Sequence, residues 1–167
     1  MNAYEKLIFK LIPDEDGYPP VSTEAIWGER VGVNQYKVDN VPYYVYGVSK
    51  GDVVKVENIS GEYVVSEVVI QGGHSTLRVY VEEKRRKLEV VQAIAERGGV
   101  CSVSSEFSLF PVDIPPEVDF RIIDKYLNSI ADDEFISYED ACLQHLGIDS
   151  SRVLECFALS TLTSATH

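Results

Sequence analysis

The stretch Gly72-Gly73-His74-Ser75-Thr76-Leu77-Arg78-Val79-Tyr80-Val81 sets a base, two hydroxyls and a guanidinium behind two glycines. A hydrolase built here would use Ser75 or Thr76 as nucleophile and would need a base within hydrogen-bond reach. Adjacent side chains on an extended strand point to opposite sides, which turns His74 away from Ser75. The other histidines are His145, placed near the end of an expected helix, and His167, the last residue, so a serine triad has poor raw material. His74, Thr76 and Arg78 do share one side of a strand. Close to Asp16 or Asp52 they would make a pocket for a small anion. Alternation alone gives a simpler reading: Thr76 and Arg78 line a solvent face, Leu77 and Val79 enter the core, and His74 bonds to a loop carbonyl.

Metal and nucleotide chemistry find less support. Zinc needs several His or Cys side chains brought together, whereas Cys101, Cys142 and Cys156 are widely spaced and fit reduced, buried thiols. Asp14, Glu15 and Asp16 lack the alternating ligands and closing glutamate of a calcium loop. No glycine-rich loop carries the lysine of a phosphate cradle. The sequence therefore calls for no metal and no cofactor.

Charge is more informative. The 167 residues carry 27 acids against 15 bases, a formal net charge of -12, which repels nucleic acid and anionic membrane and favours a basic partner. Between Pro111 and Glu155 there are eleven acids and three bases. Asp124, Asp132, Asp133, Glu134, Glu139 and Asp140 fall in that segment with Phe135 and Tyr138 among them, giving a candidate partner-binding face. No apolar run is long enough for a bilayer, and the first residues lack a leader pattern, so the expected location is the cytoplasm.

The elements that must position these groups follow from periodicity. Leu7 and Phe9 alternate in a first strand, a proline-rich turn follows, and strands over Glu24–Arg30, Gln35–Val38, "VVKVEN" and "YVVSEVVI" are separated by glycine turns. This predicts a β-rich lobe over residues 1–73, a small barrel or curled antiparallel sheet. From residue 74 strands alternate with helices: "STLRVYVEE" is a strand, and "KRRKLEVVQAIAERGG" a helix with Leu88, Val91, Ile94 and Ala95 inward. "EVDFRIIDKYLNSIADDEF" is a second helix that buries Phe120, Ile123, Tyr126, Leu127 and Ile130. The expectation is an α+β chain whose second lobe, residues 74–146, is ferredoxin-like, β-α-β-β-α. A third helix is expected from Ser137, where Ser137 to Asp140 has capping-box spacing and Gly147 suits a C-cap. Residues 147–167 read as a short helix and tail.

The segments "DEDGYPP" with Glu24 and Trp27, "YKVDNVPYYVYGVSKGDVV", "GGHSTLRV", "VDIPPEVD" and "YEDACL" occur in one order over residues 4–146. In these motifs, GYPP, NVPYY, GDVV and GHSTLRV among them, the chain resembles an uncharacterised family of small, mostly bacterial proteins known as a domain of unknown function. The resemblance implies a single structural unit and assigns no activity.

Two functional expectations result. The first is a non-enzymatic acidic binding protein, an immunity-type inhibitor that neutralises a basic, nuclease-like toxin domain in the cytoplasm. The second is a small enzyme or ligand-binding regulator with an anion pocket between the lobes at Asp16, Asp52, His74, Thr76 and Arg78.

Overall fold

A computed structural model describes residues 3–160 and 162–164. Five strands, β1 (Tyr4–Lys10), β2 (Thr23–Gly32), β3 (Gln35–Val38), β4 (Val53–Ile59) and β5 (Glu62–Ile70), run antiparallel in sequence order. β1 also pairs in parallel with β5, Leu7 opposite Tyr63 and Ile8 opposite Val64, so the sheet curls back on itself. Period-two patterning decides which side faces in: Leu7, Phe9, Ile26, Tyr36, Val54, Val56, Val65 and Val68 fill the interior. Burying that many apolar side chains, at about 1.5–3 kcal/mol each, is the main stabilising term of this lobe. Ser60 and Gly61, with φ of 54° and 87°, make the tight turn between β4 and β5.

The second sheet is built from β6 (Ser75–Val81), β7 (Val100–Cys101), β8 (Leu109–Ile114) and β9 (Ile136–Cys142), with helix α1 (Lys84–Glu96) before β7 and α2 (Phe120–Ile130) before β9. Its order is β7-β8-β6-β9 and every pairing is antiparallel. Leu77, Val79, Val81, Phe110, Val112 and Ile114 from the strands meet Val90, Ile94, Phe120, Ile123 and Leu127 from the helices in a second core. α3 (Ser150–Phe157) follows, capped by the Asp149 side chain, and β10 (Thr163–Ser164) returns to pair with β5. Part of the expected tail, including His167, lies outside the described residues. The α+β class, with a curled sheet preceding a helix-bearing one, agrees with the sequence reading.

Two local expectations are corrected. The segment from Ser137 is strand β9, not a helix. Asp132 takes the capping role one turn earlier, its Oδ1 accepting from the amides of Glu134, Phe135 and Ile136 at 2.8–3.0 Å. That turn delivers residues 136–142 to the open edge of β6, where long-range pairing overrides local helix spacing. In α1 the inward residues are Lys87, Val90 and Ile94, while Leu88 is 67% exposed. The buried face is displaced because Lys87 lays its apolar stem inside and donates through Nζ to the carbonyls of Ser104 and Phe107, both at 2.9 Å.

Gly28 marks where β2 crosses closest to the first core: a Cβ there would run into the Leu7 side chain and lie 3.2 Å from Tyr36 Cβ. Gly28→Ala should lower the unfolding free energy by about 1–3 kcal/mol, read from the urea midpoint. An unchanged midpoint would mean that Leu7 repacks freely.

Candidate functional site

The two faces of the second sheet meet different neighbours. One packs on the helices. The other, which carries Thr76 and Arg78 on β6, Asp113 on β8 and Glu139 on β9, is overlain by residues 39–52 between β3 and β4. Five contacts tie that segment down. Gly47 N donates to Ala141 O, Ser49 Oγ meets Thr76 Oγ1, Tyr43 Oη donates to Ser102 O, Tyr46 Oη donates to Glu139, and Arg78 donates to Tyr44 O. Ser75 through Val79 are consequently all buried. The expected solvent face for Thr76 and Arg78 is therefore corrected: it is the seam between the two lobes.

Arg78 is wholly inaccessible. Its Nη1 donates to Tyr44 O at 3.0 Å, its Nη2 donates to Val45 O, and Glu139 Oε1 lies 3.6 Å from Nη1. The Tyr46 ring covers the guanidinium at 4.7 Å, and Tyr46 Oη donates to both Glu139 oxygens at 2.9 and 3.1 Å. Burial and then the Glu139 carboxylate hold the Tyr46 phenol above its ordinary value, so it stays a proton donor. Glu24 fixes the covering loop from the other side by accepting from the amides of Tyr43, Tyr44 and Val45 at 2.6–3.0 Å. Nε has no protein partner.

The glycine end of β6 holds a second polar cluster. Asp52 is fully buried and its two oxygens accept from Ser49 N, Gly72 N and Gln144 Nε2 at 2.9–3.0 Å. Burial pushes its carboxyl above the ordinary range, and these donors oppose the rise. Gly72 is required because a Cβ would sit 2.7 Å from Gly51 O, a backbone atom that cannot move aside. His74 bonds through Nδ1 to Asp113 Oδ1 at 2.8 Å, in place of the loop carbonyl expected.

A serine–histidine contact does exist. His145 stands in the loop after β9, outside any helix, with Nδ1 2.7 Å from Ser75 Oγ and Nε2 2.9 Å from Pro115 O. The carbonyl can only accept, so Nε2 carries the proton and Ser75 donates to Nδ1. Ser75 Oγ also accepts from the amides of Gln144 and His145 at 2.9 and 3.2 Å and has no exposed surface. A nucleophile must be reachable and have a free lone pair, so this pair locks a loop and performs no acyl transfer. Burial pushes the thiols of Cys101, Cys142 and Cys156 up to about 12, away from the thiolate form that a nucleophile needs. Among the described residues no group of three or more His, Cys, Asp or Glu could hold a metal, and no helix is long and apolar enough to cross a membrane.

The five residues of the anion-pocket reading are not brought to one site. Asp52 and Thr76 join through Ser49, His74 pairs with Asp113, and Arg78 occupies the far half of the seam. Asp16 remains in an exposed turn, bonded to Asp14. The acidic face divides as well. Asp124 and Asp140 both grip Arg152 at 2.7–2.9 Å, Tyr138 donates to Asp124, Glu139 serves the seam, and Asp132 caps its turn. Asp133, Glu134 and Phe135 are exposed, and the 3.0 Å bond from Glu82 N to Phe135 O brings exposed Glu82 and Glu83 beside them. Sequence reading missed Tyr46, Gln144 and His145 because their partners lie from 69 to 93 positions away.

Asp52→Asn keeps the shape of the side chain but turns a donor toward donors. It should cost about 1–3 kcal/mol in urea unfolding, and a neutral result would show that the cluster rearranges. Four other carboxyls lie below the ordinary range: Asp124 through Arg152, Asp132 through backbone amides beginning with Ile136, Asp119 through Arg121 and Asp149 through Ser151. Their stabilisation is present above their unfolded pKa, near 4, and is lost as pH falls through the folded values. Asp52 has the opposite sign: its contribution is present at low pH and is lost as pH rises through its raised folded pKa. Asp124, whose pair with Arg152 is partly buried, should make stability fall below about pH 4, more shallowly in Asp124→Asn, by thermal unfolding against pH.

Among solved structures, the chain is similar to a hypothetical protein from Neisseria gonorrhoeae, 18% identical with a TM-score of 0.67, over 86% of this chain and 96% of that one. At that identity the likeness speaks to the fold. No curated protein matches. The family model described as a domain of unknown function, DUF4265, matches residues 24–138, and the chain belongs to that family.

Proposed function

We propose that this chain is a non-enzymatic, acidic binding protein that captures a basic protein partner, as an immunity-type inhibitor of a nuclease-like toxin domain in the cytoplasm. One observation carries the reading: the ring of Phe135, 52% exposed, stands among Glu82, Glu83, Asp132, Asp133 and Glu134, and none of these acids forms an ion pair among the described residues. Of the basic run that begins at Lys84, Arg86 makes its close ion pair with Glu89. Unpaired carboxylates steer a cationic partner and raise its association rate. An exposed ring at their centre then supplies the desolvated anchor that slows dissociation. The net charge of -12 adds long-range attraction of the same sign.

A ligand-binding regulator is the second reading, favoured by the unpartnered Arg78 Nε in the seam. The finer ferredoxin-like reading of the second lobe is supported by its β-α-β-β-α-β element order around a β7-β8-β6-β9 sheet.

The test is co-expression with a basic nuclease toxin domain encoded beside this chain. The wild type should restore growth and bind the domain with a rate that drops as salt rises. Asp133→Lys with Glu134→Lys should slow association roughly tenfold or more. Phe135→Ala should act on dissociation, and both variants should melt near the wild type because the altered groups are exposed. Binding unaffected by these changes would overturn the face, and failure to protect would overturn the inhibitor reading.

A further inference from the structure

Loops from both lobes place four aromatic rings in a row. Phe107, Tyr43, Tyr44 and Tyr18 follow one another at centroid distances of 6.3, 6.3 and 6.1 Å, tilted by 58°, 50° and 73°, so neighbours do not stack and a wedge opens between them. Two hollows flank Tyr44. One, of about 450 Å³, is walled by Val21, Tyr43, Tyr44 and Phe107 with Glu24. The other, of about 170 Å³, is walled by Leu11, Ile12, Tyr18, Pro19 and Tyr44 with Asp14. Their apolar walls are accessible: Phe107 is 51% exposed, Val21 40% and Ile12 72%. The Tyr18 and Tyr44 hydroxyls bond to nothing among the described residues. Arg78 Nε is the one buried side-chain polar atom without a partner there, so both hydroxyls reach solvent. No Lys, Arg or His walls either hollow. Asp14 and Glu24 accept from backbone amides and form no ion pair among the described residues, which makes this face acidic as well as aromatic.

We propose that this row docks a proline-rich segment of a partner protein in the polyproline II conformation, with a Lys or Arg beside its prolines. Polyproline II has no internal hydrogen bonds, so its carbonyls are free to accept from the two unpaired hydroxyls. Proline rings are flat and rigid, and they seat between aromatic side chains at little entropic cost. At ~3.1 Å per residue each step along the row corresponds to about two residues, so the row takes a segment of about six. An amphipathic helix, about 10–12 Å across, needs an unbroken trough, whereas Tyr44 divides this one in two. Asp14 and Glu24 set the sign of the flanking charge. The row shares no residue with the Phe135 face, so the two proposals stand or fall separately.

The experiment is an amide NMR titration of the full chain with Arg-Pro-Pro-Leu-Pro-Pro-Leu-Pro, and with the same prolines carrying the arginine at the other end. One of the two peptides should saturate below about 1 mM, with shifts centred on Val21, Tyr44 and Phe107. Alanine in place of the prolines should weaken binding roughly tenfold or more, and glutamate in place of the arginine about threefold or more. Phe107→Ala should weaken it roughly fivefold or more, while Phe135→Ala should leave it unchanged. Val21→Arg, which puts bulk and a repelling charge at another exposed wall, should abolish binding and gives a second reading if Phe107→Ala unfolds. No saturation by either peptide, an alanine peptide that binds as tightly, or shifts that survive both groove variants would each overturn the proposal. So would a dimer in sedimentation that Phe107→Ala dissociates, which would assign the row to a second copy of this chain.

Discussion

A guanidinium with no solvent contact has to be answered by the protein, and the position of residues 39–52 is that answer. The effective cost of removing a charge from water is several kcal/mol, so Arg78 is tolerable only where acceptors converge on it. β6 cannot supply them, because its own carbonyls serve β8 and β9. They come from the backbone of Tyr44 and Val45, and a carbonyl can be aimed at a side chain only where the chain is free of ladder pairing. The loop between β3 and β4 has to be long and irregular for this reason. Glu24, on β2, then neutralises the opposite problem by accepting the three amides that the same loop leaves unpaired.

The second cluster repeats this logic with different atoms. Asp52 stands at the end of the same loop and gathers two backbone amides and the Gln144 side-chain amide, so one carboxyl joins the first lobe, the glycine turn and the loop after β9. Thr76 contributes through Ser49, and Ser75 through His145. Successive residues of β6 thus lock opposite sides of the strand: Thr76 and Arg78 hold the first lobe, and Ser75 holds the loop that follows β9. Ser75, Thr76 and Arg78 make contacts that hold the assembly together, with Arg78 Nε left without a protein partner. The polar character of Gly72 to Val81 is explained by its being a junction strand, buried on both faces.

What the sequence revealed follows from the range of the forces involved. The five strands of the first sheet and helices α1 and α2 were legible because alternation and a 3.6-residue stripe are local, as Leu7 with Phe9 and Ile123 with Leu127 illustrate. β9 was not, since Ser137 to Asp140 satisfies helix-cap spacing and strand pairing equally well until the edge of β6 is known. Of the candidate residues, Thr76 and Arg78 were read as a solvent face on alternation alone, and their burial depends on a loop that has no period to read. The acidic face was half legible. Asp133, Glu134 and Phe135 are exposed side chains, whereas Asp124 and Asp140 are claimed by Arg152, 28 and 12 positions distant.

That division bears on how an acidic protein can keep a stable fold and a reactive surface together. Carboxylates that organise the structure are paired with Arg152, with a turn or with the seam, and their charges are largely cancelled where they stand. Those on the Glu82–Glu83 and Asp133–Glu134 turns contribute nothing to packing, and mutual repulsion between them opposes the fold slightly. The bond from Glu82 N to Phe135 O, beside the Val81–Ile136 pairing of β6 with β9, holds the two turns together against that repulsion. On the binding reading proposed above, a basic partner would relieve that repulsion, while carboxylates already held by Arg152, by a turn or by the seam would add less to its attraction.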